Sequence, residues 1–154
     1  MQNHGRRRAA YLILAPLFLV LAACGGKSST ATVTLHATDF NFQGVPQTVA
    51  AGHVRFVLVN DSKDYNHELW VYPQNQPQLP TLLAAKAAGQ EVDEATLLQN
   101  LAGHMEDVQP GQRAAFDATL APGTYEMACF ITSTIGSQTM VHYALHMHAV
   151  FTVQ

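Results

Sequence analysis

The stretch "CFITSTIGSQTMVHYALHM", Cys129 to Met147, gathers a thiol, imidazoles and thioethers and carries no Asp, Glu, Lys or Arg. A thiolate and a thioether are soft donors, and an imidazole is borderline. A site that mixes them suits a transition metal rather than a hard cation. Cys129 and His142 could instead pair as nucleophile and base. That chemistry also needs an orienting acid and oxyanion donors, and no such motif stands near them. A lone cysteine at a strand end is, by itself, often a small buried hydrophobe. Further candidates lie outside the stretch, with His67 upstream and His148 just beyond. Whether these donors can meet depends on the elements that carry them.

Those elements read as short β-strands. "TVTLHA", "VRFVLVN", "HELWVYP", "RAAFDATL", "GTYEMACF" and "HAVFTV" alternate or are rich in β-branched residues. Turn chemistry such as "NDSKD", "QPGQ" and "APG" separates them. Many short strands with such punctuation predict an all-β sandwich. One segment differs. "LPTLLAAKAAGQEVDEATLLQNLAGH" is rich in Ala and Leu and predicts a helical insertion over residues 79–105, with Gly89 closing a first helix and Asp93 capping a second.

Side chains alternate along a strand, so residues two apart share a face. Tyr125, Met127 and Cys129 fall on one face, and so do His67, Leu69 and Val71. Met147 shares a face with Ala149, Phe151 and Val153. His67, Cys129 and Met147 are therefore expected at strand ends on the core side. His146 and His148 should point away, and His142 precedes the last strand. His36, His53 and His104 are expected at the surface. Trp70 and Tyr72 face opposite to His67, where the helical segment could cover them.

Two histidines, one cysteine and a weak axial methionine make a blue-copper centre. At this point the chain resembles the cupredoxin family. "NHELWVYP" is similar to the strand bearing its first histidine ligand, "LAPGTYEMACF" to the turn and strand delivering its cysteine, and "HYALHMHAVFTV" to its His-x4-Met loop and last strand. The resemblance runs over about residues 32–153. It implies a Greek-key β-sandwich, one copper ion, and His67, Cys129, His142 and Met147 as ligands. It also implies single-electron transfer rather than enzymatic turnover. Copper capture and delivery, or a metal-free interaction domain, would use the same scaffold. Two departures stand out: the Cys129-x12-His142 spacing is long, and His146 precedes Met147 where glycine is usual.

The first residues carry a different message. Arg6, Arg7 and Arg8 precede the apolar run "AAYLILAPLFLVLAA", and "LAAC" ends at Cys24. The order resembles a bacterial lipoprotein signal, so residues 1–23 are expected to be removed and Cys24 lipidated. Residues 24–31, "CGGKSSTA", would form a flexible tether to a domain spanning residues 32–154. These features predict anchoring through lipid on the extracytoplasmic side of a membrane. Without the three arginines, five basic residues face eleven acidic ones, a net charge of −6 with histidines neutral. No basic stripe is present, which argues against nucleic acid as a partner. The sequence names no redox or copper-exchange partner.

Overall fold

The structure, a computed structural model, describes residues 30–154 except Pro77 and Asn100, and the side chain of Pro80 is also left aside. Residues 1–29, including the expected signal, Cys24 and most of the tether, lie outside the described residues.

The strands are β1 (Ala31–Thr38), β2 (Asn41–Gln43), β3 (Thr48–Val49), β4 (Gly52–Asn60), β5 (His67–Pro73), β6 (Gly103–Val108), β7 (Arg113–Leu120), β8 (Gly123–Ala128), β9 (Thr132–Ile135), β10 (Gln138–Val141) and β11 (His148–Val153). Between β5 and β6 lie helices α1 (Leu79–Ala87) and α2 (Glu94–Leu98). One sheet has the order β2-β1-β4-β7 and the other β3-β11-β8-β5-β6. The β1–β4 and β3–β11 pairs are parallel, and the other pairs within the two sheets are antiparallel. This is the all-β sandwich that the strand pattern predicts.

Alternation builds the core. In β1 every second residue, Val33, Leu35 and Ala37, is buried while Thr32, Thr34 and His36 face water. Val54, Phe56 and Leu58 of β4 join them from the same sheet. Leu69, Val71, Tyr125, Met127, Phe151 and Val153 meet them from the other.

β5 breaks the simple alternation, because its first six residues are all buried. Its inner face enters the sandwich. Its outer face puts Trp70 and Tyr72 against Leu79, Leu83 and Leu97 of the two helices. The helices thus cover Trp70 and Tyr72, as their parity suggested. Each such aromatic buries about 150–250 Å², so the cover contributes about 4–6 kcal/mol per ring as an upper figure. Asp93 accepts the Ala95 N–H at 3.2 Å and caps α2, and Gly89 follows α1 at φ 72°.

The helical segment is shorter than residues 79–105. It ends at Leu98, and Gly103–Met105 belong to β6, paired with β5. The cause is tertiary. Gly103 lies against the Phe116 ring, where a Cβ would stand 2.4 Å from a ring carbon, and Met105 fills the core opposite Leu69.

Candidate metal centre

Three strand termini converge at one end of the sandwich. His67 opens β5, Cys129 follows β8 directly, and Met147 precedes β11. The Cys129 N–H donates to the Met147 carbonyl at 3.1 Å and extends the β8–β11 ladder to these two residues.

The chain between Cys129 and His142 is not irregular. Most of it forms the antiparallel hairpin β9–β10, turned at Gly136 with φ 63°. The hairpin closes on itself, and the His142 N–H donates to the Ile131 carbonyl at 2.8 Å. Extra residues in such an excursion cost little closure entropy, so the long spacing still delivers His142 beside Cys129. Phe130 and Tyr143, the neighbours of Cys129 and His142, stack at 5.1 Å and 12° and clamp the two ends. His142–Leu145 then forms a 3₁₀ turn, ended by His146 at φ 70°. The Met147 N–H donates back to the His142 carbonyl at 3.1 Å.

His67 Nδ1 lies 3.9 Å from Cys129 Sγ, and His142 Nδ1 lies 3.5 Å from it. The two imidazoles are 5.1 Å apart between centroids. One donor atom from each of the three residues falls within 4.8 Å of the others, the one such metal-ready group of His, Cys, Asp or Glu among the described residues. With metal–sulfur and metal–nitrogen bonds of about 2.3 and 2.0 Å, two ligands 120° apart stand about 3.7 Å from each other. The observed 3.5 and 3.9 Å bracket that edge. The donor set and its two sulfur–nitrogen edges therefore fit a first-row transition ion. His67, Cys129, His142 and Met147 are all 0% exposed.

Burial sets the protonation states. It lowers His67 to about 4, helped by the neighbouring His142 and opposed by Asp39, and it lowers His142 to about 4. Burial first, and the charge of Glu68 second, push the Cys129 thiol up to about 12. At neutral pH the site presents two neutral imidazoles and a protonated, free thiol. A divalent ion reverses the last preference, because it binds the thiolate.

The supporting residues were the least visible in sequence. Ser133 Oγ lies 2.7 Å from His142 Nε2 and orients the ring so that Nδ1 faces the sulfur. Glu68 is buried and accepts the Phe130 N–H at 2.8 Å, which fixes the backbone beyond Cys129. Glu68 alternates with His67 and Leu69 and so lies on the opposite face of β5, yet it is buried there too. Asn60 is fully buried. Its amide donates to the carbonyls of Tyr65 and Val108, and its Oδ1 accepts from Ser62 N–H. It thereby pins the loop leading to His67. His146 is exposed. His148 faces the outer side of the sheet, with Nδ1 3.0 Å from Glu126. Neither joins the cluster. His36 and His53 are exposed and His104 partly so.

The two sheets and the strand-end site define the cupredoxin fold. Auracyanin of the photosynthetic bacterium Roseiflexus castenholzii aligns with a TM-score of 0.58 at 18% identity, over 82% of this chain and 98% of that one. Auracyanin A, a "blue" copper protein of Chloroflexus aurantiacus, aligns with a TM-score of 0.57 at 17% identity, over 82% and 100%. Azurin of Methylomonas sp. strain J aligns at 0.51 and 8% identity, over 82% and 98%. At these identities the likeness is one of fold. No family model matches the chain, and no curated protein matches it by sequence.

Proposed function

We propose that the protein is a single-electron carrier holding one copper ion in a type 1 site. His67, Cys129, His142 and Met147 would hold it, the two imidazoles and the thiolate as the main donors and the thioether as the weakest. The convergence of two neutral Nδ1 atoms on one buried thiol carries this reading. Copper, when bound, supplies a one-electron couple that soft sulfur and borderline imidazole donors can serve in both oxidation states.

The chain's own residues do the rest. Cys129 would bind as the thiolate, its thiol proton passing to solvent. The imidazoles need lose none. Ser133 holds the His142 ring, the stacked Phe130 and Tyr143 hold both ends of the hairpin, and burial excludes water. A site fixed in this way changes shape little between charge states, which is what electron transfer requires.

Adding Cu(II) to the purified protein should give an intense visible charge-transfer band that Cys129→Ser abolishes. A colourless wild type with only weak Cu(II) binding would refute the reading. Rapid loss of Cu(I) from the reduced protein to a modest chelator would instead favour copper delivery.

We further propose an extracytoplasmic location with Cys24 as the lipidated anchor, supported by the basic flank, apolar run and "LAAC". Among the described residues no helix is long and apolar enough to cross a membrane. Mass spectrometry of the mature N-terminus tests this reading, and an unmodified N-terminus beyond Cys24 would refute it.

A further inference from the structure

On the outer face of the β3-β11-β8-β5-β6 sheet, remote from the sandwich core, α1 leaves a cleft of about 320 Å³. That size suits a small ligand. Its floor is Tyr72 of β5 and Glu126 of β8, paired directly across the two strands. Leu79 and Leu83 form an apolar wall, and Tyr143 closes one end. The polar groups here are buried more deeply than their chemistry favours. Glu126 is 8% exposed and Tyr72 1%.

Glu126 Oε1 is occupied. It accepts from Tyr143 Oη at 3.1 Å and faces His148 Nδ1 at 3.0 Å. Among the described residues Oε2 accepts only from Gln74 Nε2, at 3.1 Å. A carboxylate offers about four lone-pair positions, so Oε2 keeps one to spare. Tyr72 Oη stands close enough to Glu126 and Tyr143 to interact with both, yet it has no hydrogen bond of good geometry to either. A buried phenol without a partner is rare and costly. The one cation on α1, Lys86, is turned elsewhere, 4.6 Å above the Trp70 ring and 3.5 Å from Glu94. The cleft thus holds a buried carboxylate with spare accepting capacity, a phenol oxygen beside it and an aliphatic wall.

We propose that this cleft binds a small organic ammonium ion, with its N–H groups on Glu126 and Tyr72 and its carbon stem against Leu79 and Leu83. An ammonium brings several donors and one positive charge to a carboxylate and a phenol oxygen that can both accept. A neutral alcohol would lack the charge, and a carboxylate would be repelled by Glu126. The inference does not depend on the metal reading.

Titration of the ¹⁵N-labelled full chain with n-butylammonium, n-butanol and n-butyrate at matched ionic strength tests it by NMR. Saturable shifts are expected with butylammonium, centred on Tyr72, Leu83, Glu126 and Tyr143, with weaker binding of butanol and none of butyrate. Glu126→Gln should weaken butylammonium binding by about tenfold to a hundredfold, the value of a charge-assisted hydrogen bond. Ala84→Leu, from an exposed position on the cleft rim, should block binding while the fold is kept. Equal binding of the three probes, shifts scattered without saturation, or full affinity in Ala84→Leu would overturn the proposal.

Discussion

Metal binding should release close to one proton, and the number should barely change with pH. The reason lies in the buried donors. His67 and His142 are held down to about 4 and Cys129 is held up to about 12. At pH 5.5 the two imidazoles together then carry only about 0.06 of a proton and the thiol carries one, so an ion displaces about 1.1 protons. Histidines at their ordinary value of about 6.5 would each be about nine-tenths protonated at pH 5.5, and the same ion would displace about 2.8. At pH 8 both cases fall to about one, so the acid side separates them. Calorimetric titration with Cu(II) in buffers of different ionisation heat counts the protons directly, with Zn(II) as a redox-silent control. Cys129→Ser should reduce the count to near zero. A release that climbs toward three on acidification would refute the reasoning about burial. One proton released by Cys129→Ser would refute the assignment of its source.

Ser133→Ala should weaken metal binding by about 10- to 100-fold without unfolding the chain, measured by competition with a chelator, because His142 loses the group that orients it. Met147→Leu should keep copper but shift the reduction potential, read by voltammetry, since the axial contact tunes more than it holds. Without metal, the stability should be highest between about pH 6.5 and 9. The depressed histidines favour their neutral form in the folded chain, so stability falls as pH drops from about 6.5 toward 4. The raised thiol makes it fall again as pH climbs from about 9 toward 12. Denaturant titrations across that range check both limbs. Asn60→Ala should cost about 3 kcal/mol in the same assay, as it strands two carbonyls and an N–H in a buried loop.

The donors were legible because strand parity is local. Alternation through "GTYEMACF" and "HAVFTV" put Cys129 and Met147 on the core side, and the structure keeps them there. The same rule was incomplete for Glu126, Ala128 and Phe130. Glu126 and Ala128 lie on the other face of β8 and Phe130 just beyond its end, and they are buried because distant segments, the helices and the 3₁₀ turn, cover them. Gly103–Val108 escaped notice as a strand because the Leu- and Ala-rich pattern ran up to it, and its pairing with β5 is a tertiary fact. The hairpin inside the long spacing left a faint trace in "TSTIGSQTMV", two β-prone runs around Gly136. Ser133 left none. Its role depends on where the hairpin folds back, which no local pattern reports.

The hairpin and the first-sheet loops also insulate the centre. Phe40 and Tyr65 stand edge-on to His142 at 5.0 and 5.9 Å, and Ser133 covers its outer nitrogen. With no donor side chain exposed to solvent, a redox ion held there would sit behind a full layer of side chains. Any electron must cross that layer, so freely diffusing oxidants and reductants would couple poorly to the centre. A protein able to press against Phe40 and Tyr65 would couple far better. In an electron carrier such a cover would act as a filter on traffic, favouring contact exchange over leakage to small molecules.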